Sequence, residues 1–80
     1  MARVVWSRET RQVLRALPLP VKEGIARQIR LLARFPRMYQ IIGGGRFRRH
    51  RRFLAGDWLI YYRVVENTVY IRGLWPARIP

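Results

Sequence analysis

Cysteine is absent from this sequence of 80 residues, and the chain has only one histidine and four aspartate or glutamate residues. Without cysteine, the chain can form neither a disulfide framework nor a thiolate site. One imidazole and four carboxylates are too few ligands for a zinc or calcium cage built by this chain alone. We therefore expect no metal ion and no cofactor, and the lack of cysteine is typical of a protein of the reducing cytosol.

Long hydrophobic runs are also missing. No segment approaches the roughly 18 apolar residues of a membrane span. The first ten residues, MARVVWSRET, lack the apolar stretch of about 7 to 15 residues that a signal peptide needs. The sequence therefore predicts a cytoplasmic protein that does not associate with a membrane.

Negative charge is scarce, because seventeen Lys and Arg residues against four Asp and Glu residues give a formal net charge of +13. Sixteen of the seventeen are arginine, whose guanidinium group binds phosphate through paired hydrogen bonds. A GC-rich genome would produce the same bias without a functional cause. Half of the residues are apolar, which is enough to fold one domain of residues 1–80. So much charge in a small volume predicts a polyanion or an acidic protein as the partner.

The first half of the chain has the pattern of one strand and two helices. Residues 3–6 form a short β-like run that stops at Ser7, a good helix N-cap residue. Residues 7–17 have apolar side chains on one helical face and arginines on the opposite face. Pro18 ends that helix, and Pro20 suits the first turn of a second amphipathic helix that runs to about residue 35. We expect a helical hairpin with one buried face and one basic face.

After Pro36 the apolar period changes from helical to alternating. Gly43, Gly44 and Gly45 form a loop that lacks the Lys and Ser or Thr of a phosphate-binding loop, so a flexible connection is the simpler interpretation. Three strands follow, and their short turns require antiparallel pairing. The strands are predicted at residues 46–54, 58–65 and 69–75, with turns at 55–57 and 66–68. The fold class is therefore α+β: a short N-terminal strand, a two-helix hairpin packed on one face of the sheet, and a three-stranded antiparallel meander.

The basic segment of residues 46–52, RFRRHRR, contains five arginines and the one histidine of the sequence. If it is a strand, alternate side chains share a face. Arg46, Arg48, His50 and Arg52 would then lie on one side, and Phe47, Arg49, Arg51 and Phe53 on the other. A row of like charges is stable only on a solvated face or opposite an anion. We favour a nucleic-acid-binding surface formed by Arg46, Arg48, Arg49 and Arg51, and the alternative is a solvated edge strand whose charges prevent aggregation.

His50 is the one side chain whose ordinary pKa lies near neutrality. Between arginines it is expected to stay neutral, so it can act as a general base toward a ribose 2′-hydroxyl. A surface histidine without chemistry is the alternative. Asp57 and Glu66 occupy positions that turns favour and are interpreted as structural. The aromatic residues of the following strand are expected to pack, although one exposed ring could stack on a base.

Several features of the chain occur together in one family. They are the short first strand, the helix that begins near Ser7, the segment LPLPVKE at residues 17–23, the segment LARFP at residues 32–36, and a basic strand that leads through Gly56 and Asp57 into an aromatic strand. Over its whole length the chain resembles the RelE/ParE superfamily of bacterial type II toxins. The resemblance implies the α+β fold described above.

The RelE branch implies a metal-independent endonuclease that cleaves messenger RNA in the ribosomal A site and so inhibits translation. Basic residues of that branch orient the 2′-oxygen and stabilise the charged transition state. By position, His50 and Arg52 match two of these residues, and Arg78 matches a third. Leu59 stands where that branch usually has arginine.

The ParE branch implies a different activity, inhibition of DNA gyrase without nuclease chemistry. Leu59 favours this branch, whereas the row of arginine and histidine favours the nuclease, which is our first hypothesis. A basic protein that only binds RNA or a membrane surface is a weaker alternative. Either toxin branch implies a cognate acidic antitoxin, a toxin–antitoxin hetero-oligomer and a role in plasmid stabilisation.

Overall fold

The computed structural model describes residues 1–42 and 45–77. Its elements follow the predicted order of one strand, two helices and three strands. They are β1 (Arg3–Trp6), α1 (Arg8–Arg15), α2 (Leu19–Arg34), β2 (Arg51–Ala55), β3 (Trp58–Val65) and β4 (Thr68–Pro76). The α+β fold class is confirmed.

One mixed sheet contains all four strands, in the order β1-β4-β3-β2. The predicted meander is present, since β2 pairs with β3 and β3 with β4 in antiparallel register. The N-terminal strand β1 lies beside β4 and is parallel to it. Two-residue loops join the meander strands, and Gly56 and Glu66 begin these loops with positive φ angles of 61° and 54°. Glycine adopts this angle without strain.

The two helices begin where the sequence indicates. The Ser7 hydroxyl oxygen accepts a hydrogen bond from the backbone N–H of Thr10 at 3.2 Å, which satisfies one of the free donors at the start of α1. Pro18 precedes α2, and Pro20 lies in its first turn, where a missing N–H costs no hydrogen bond. The boundaries of both helices are thus set by local sequence.

The core lies between the helices and one face of the sheet. α1 packs against β4, and α2 packs against β1 and β2. The buried apolar side chains of α2, β2, β3 and β4 are Ile25, Leu32, Phe53, Ala55, Ile60, Tyr62, Val69, Ile71 and Leu74. We call the sheet face that bears these strand residues the inner face and the opposite face the outer face.

The predicted strand at residues 46–54 is wrong in its first half, because β2 begins only at Arg51. Residues 45–49 form a turn, in which the N–H of Arg48 donates to the Gly45 carbonyl and the N–H of His50 to the Phe47 carbonyl. Arg49 has a left-handed φ of 70°, which a strand does not permit. Of the predicted glycine loop, Gly43 and Gly44 lie outside the described residues.

Tyr62 places a hydroxyl group in the core. Its side chain is 0 % exposed, and its hydroxyl has no hydrogen-bond partner among the described residues. Burial raises the pKa of the Tyr62 phenol to about 12, an effect that the nearby Arg51 charge partly opposes. The neutral phenol is therefore strongly favoured in the folded chain.

Alkaline pH should destabilise the fold through this residue. An unfolded tyrosine ionises near pH 10.0, whereas folded Tyr62 holds its proton to about pH 12. The contribution of Tyr62 to the free energy of unfolding is therefore fully present below pH 10 and is lost as the pH rises toward 12. Urea unfolding at several pH values should show this loss in the natural chain and not in Tyr62→Phe. Tyr70→Phe, on the outer face, is the matched control and should keep the loss.

Leu32 and its neighbour Leu31 provide a test of the buried face of α2. Leu32 is 0 % exposed and Leu31 is 40 % exposed. Leu32→Ala should lower the free energy of unfolding by about 2 to 5 kcal/mol, because it removes buried methyl groups and leaves a cavity. Leu31→Ala should cost much less. Equal losses in urea unfolding would contradict the packing described here.

Candidate functional site

The outer face of the sheet is not covered by the helices. In the strand register, Arg52 lies opposite Tyr61, and Tyr61 lies opposite Gly73. Because paired residues share a face, these positions and their alternates line the outer surface. The alternates on β2, β3 and β4 are Leu54, Leu59, Arg63, Tyr70 and Trp75. The outer face thus carries charged side chains beside aromatic residues and leucines, whereas the buried residues of the inner face are apolar.

An aromatic cluster anchors the basic turn to this outer face. The Phe47 ring stacks on Tyr61 with centroids 4.7 Å apart, and it meets the Trp75 ring edge-on at 5.1 Å. Tyr61 and Trp75 also contact each other, at 5.4 Å. Gly73 makes room for this packing, since a Cβ atom there would lie 2.1 Å from a ring carbon of Trp75. The turn is therefore held by its one apolar side chain.

An open cleft of about 520 Å³ lies between the start of α1 and the second half of β4. We call it the His50 cleft. Its charged and titratable lining consists of Arg46, His50 and Arg72 together with Glu9 from α1. Arg72 reaches this position because the pairing of β3 with β4 shifts register beside it, between Tyr61 and Tyr62.

His50 is half-buried at the edge of this cleft. Its Nδ1 atom lies 3.1 Å from the backbone carbonyl oxygen of Arg48. Since a carbonyl oxygen only accepts, this contact assigns the proton to Nδ1 and leaves Nε2 of the neutral ring as a proton acceptor. The Phe47 ring meets the imidazole edge-on, with centroids 5.3 Å apart. The ring is therefore oriented, which a general base requires.

A second depression, of about 450 Å³, adjoins the turn. Four guanidinium groups and Gly45 line it, and no carboxylate does. The four are Arg46, Arg48, Arg49 and Arg63, all exposed. Guanidinium groups gathered without a carboxylate form a site for an anion with several oxygens, such as a phosphodiester.

Comparison with known proteins identifies the family. A family model described as "ParE toxin of type II toxin-antitoxin system, parDE" matches residues 4–79. The chain belongs to the ParE toxin family. The expected place in the RelE/ParE superfamily is thereby confirmed, and family membership implies an antitoxin as partner.

A solved structure shows that this ParE-family toxin shares its fold with RelE. The crystal structure of the isolated E. coli RelE toxin matches with a TM-score of 0.84, over 100 % of this chain and 88 % of that chain. The two sequences are 13 % identical, so the likeness concerns the fold. No curated protein sequence matches the toxin. Among its described residues, no helix is long and apolar enough to cross a membrane.

The toxin brings most of the predicted site residues to one region. Arg46, Arg48 and Arg49 occupy the turn, His50 directly follows it, and Arg52 is exposed on the outer face of β2. The predicted division into two faces is wrong for residues 46–49, because the turn brings Arg46, Arg48 and Arg49 around one depression. It holds within β2, where Arg52 is exposed and Phe53 is buried on the opposite face. Arg78 lies outside the described residues.

Arg51 differs from the other predicted nucleic-acid-binding residues. It alternates with Arg52 in β2 and is half-buried. Its guanidinium group donates hydrogen bonds to the backbone carbonyl of Tyr39 and, at 3.4 Å, to that of Arg37. The structure therefore gives Arg51 an anchoring role, attaching the segment after α2 to β2.

Three residues of the site were not identified from the sequence. Arg63 alternates with Tyr61 and Leu59, so the period of β3 contained a signal for its outer position. Arg72 lies beside a register shift, and Glu9 reaches the cleft through the packing of α1 on β4. Neither of these positions follows from local periodicity.

Substitution at Gly73 should disturb the aromatic cluster. A methyl group 2.1 Å from the Trp75 ring lies far inside ordinary contact distance, so the ring must move away from Phe47. We expect Gly73→Ala to lower stability by about 1 to 3 kcal/mol and to change the near-ultraviolet circular dichroism of the aromatic residues. Gly24→Ala is the control, because the nearest atom there is 3.7 Å away and alanine favours a helix by up to about 1 kcal/mol. A native aromatic spectrum in Gly73→Ala would contradict the cluster.

Proposed function

We propose that this toxin is a metal-independent endonuclease that cleaves messenger RNA on the ribosome and thereby inhibits translation. The observation that carries the proposal is the His50 cleft, where an oriented imidazole stands beside the guanidinium groups of Arg46 and Arg72. A proton acceptor and fixed positive charges are the groups that RNA cleavage by its own 2′-hydroxyl requires.

In the proposed reaction, Nε2 of His50 takes the proton of the ribose 2′-hydroxyl. The 2′-oxygen attacks the neighbouring phosphorus, and the bond from phosphorus to the 5′-oxygen breaks. The leaving 5′-oxygen receives a proton from the imidazolium or from water. The products are one fragment with a 2′,3′-cyclic phosphate and one with a 5′-hydroxyl. Guanidinium groups supply the charge that stabilises the pentavalent phosphate, so the scheme needs no metal.

The surroundings of the cleft support RNA as the substrate. Arg48, Arg49 and Arg63 form the adjacent anion site, which suits a neighbouring phosphate. Trp75 is 39 % exposed, so its free surface can stack on a base. We assign Arg52 to the same charged surface. By its match to the RelE branch, we propose Arg78 as a further catalytic residue.

A second candidate function is inhibition of DNA gyrase by binding alone. It is favoured by the match to the ParE family model and by Leu59, which replaces an arginine that RelE-like nucleases usually have. In that case the arginines of the outer face would contact protein and no bond would be cleaved.

We further propose that the antitoxin is acidic and forms a hetero-oligomer with this toxin in the cytoplasm, as part of a plasmid-stabilisation pair. The net charge of +13 favours an acidic partner because neutralisation removes self-repulsion. Leu54 and Leu59 on the outer face offer apolar contacts to such a segment.

Replacement of His50 should separate chemistry from binding. We expect His50→Gln to reduce RNA cleavage by about 100-fold or more, because a general base contributes roughly 10² to 10⁴, and to abolish growth arrest. Arg52→Ala should also weaken both RNA cleavage and growth arrest. Arg30→Gln, at an exposed residue of α2, removes the same charge as Arg52→Ala and should remain toxic. Fragments should be mapped in cells by ligation that captures 2′,3′-cyclic phosphate ends.

A supercoiling assay distinguishes the two candidates. Intact messenger RNA together with inhibition of purified gyrase would overturn the nuclease proposal in favour of the second function. Cleavage with 5′-phosphate products, or full activity of His50→Gln, would exclude the role given to His50.

A further inference from the structure

A second basic surface lies on α1, outside the His50 cleft. The exposed side chains of Arg8, Arg11 and Arg15, together with Gln12 and the half-buried Trp6, line an open cleft of about 420 Å³. We call it the α1 basic cleft. Glu9, Thr10 and Val13 line the His50 cleft instead. The one helix therefore separates two clefts.

The three charges of the α1 basic cleft repel one another, and only Arg15, in the last turn of α1, interacts favourably with the helix dipole. Arg8 is the first residue of α1, where the positive end of the helix dipole disfavours a cation. Arg11 is three residues from Arg8 and four from Arg15, and like charges at these spacings repel. No carboxylate lines the cleft, and within the described ranges these three side chains form no hydrogen bond or ion pair.

Other arginines of the chain provide a contrast. Arg37 donates a hydrogen bond to the backbone carbonyl of Glu66 at 3.2 Å, and Arg51 donates to that of Tyr39. These two guanidinium groups fasten loops, and the fold uses them. The arginines of α1 are concentrated at a cost to the helix, and this favours a role in binding an external anion.

The shape of the cleft indicates the kind of anion. Arg15 is seven positions after Arg8, so the guanidinium groups follow the helix for about 10 Å. A row of guanidinium groups suits consecutive phosphates of a nucleic-acid backbone. Trp6 lies at one end of this row, and its exposed part can stack on a base. An amphipathic protein segment would need an apolar groove, whereas Trp6 is the only large apolar side chain in this lining.

We propose that the α1 basic cleft is a second binding site for single-stranded RNA. The α1 basic cleft would hold a part of the RNA strand that does not react. A strand that crosses the start of α1 would then contact both this cleft and the His50 cleft. The proposal rests on RNA as the target in the proposed function, but it concerns binding and requires no cleavage.

The test compares two triple variants that lose the same charge. One is Arg8→Gln, Arg11→Gln and Arg15→Gln on α1. The matched control is Arg27→Gln, Arg30→Gln and Arg34→Gln, three exposed residues of α2. Binding of a fluorescein-labelled 12-mer of uridine would be measured by anisotropy over a range of salt concentrations. The α1 variant should lose at least tenfold in affinity, and its salt slope should fall in magnitude by about 2, since each phosphate contact contributes about 0.7. The control should lose less than threefold.

Two further measurements exclude indirect effects. The α1 variant should unfold at the same or a higher temperature than the natural chain, because the repulsion within α1 is relieved. The tryptophan fluorescence of the natural chain, which has three tryptophans, should be quenched by the 12-mer. Trp6→Phe should remove part of this quenching, and so should the α1 triple substitution.

Three other outcomes overturn the proposal. Equal losses in the two triple variants would show a general effect of net charge. Unchanged RNA binding by the α1 variant, with weaker binding of the antitoxin, would identify an acidic protein segment as the occupant. Loss of RNA affinity confined to Arg46→Gln, Arg48→Gln and Arg49→Gln would refute the second site and leave the nuclease proposal intact. Conversely, if the α1 variant loses RNA affinity but the natural toxin cleaves no RNA, the nuclease proposal is refuted and the second binding site is retained.

Discussion

Repulsion among seventeen basic side chains, opposed by only four acidic ones, is the constraint on which this structure depends. A chain of this size has one small core, so it must place every charge at a surface and still bury enough apolar area to fold. The β-strand solves this problem locally, because alternation directs apolar residues such as Ile60 toward the helices and the guanidinium groups of Arg52 and Arg63 to the opposite side. The same separation that allows folding also concentrates positive charge on one face of the sheet.

Most of the fold was predictable because its signals are local. The cap at Ser7, the prolines before α2 and the alternation of β3 each act within a few residues. The prediction was wrong for residues 46–50 because their alternating pattern, with Phe47 between arginines, has the period of a strand. The contact that decides the conformation is the stack of Phe47 on Tyr61, fourteen positions away. No local rule includes it.

Prediction of the candidate functional site from the sequence has the same limit. His50 and the arginines beside it were found by their chemistry, and the turn brings them together by a route that periodicity did not indicate. Arg72 and Glu9 join them only because β4 shifts register and α1 packs against its edge. A shared RelE fold at 13 % identity is consistent with this division: the apolar inner face specifies the architecture, while the outer face can vary in its chemistry without altering the core.

The parallel pairing of β1 with β4 has a kinetic consequence. Arg3 lies beside Thr68 and Trp6 beside Ile71, so the first strand has no partner in the sheet until the last strand exists. α1 depends on the same late element, since the backbone N–H of Ser7 donates to the Ile71 carbonyl. Contacts of such long sequence separation form slowly, because the chain must lose loop entropy before the contact compensates for it. The His50 cleft, which residues of α1 and β4 line, therefore cannot assemble in stages during synthesis: it is completed in one late step, after β4 has been added to the sheet.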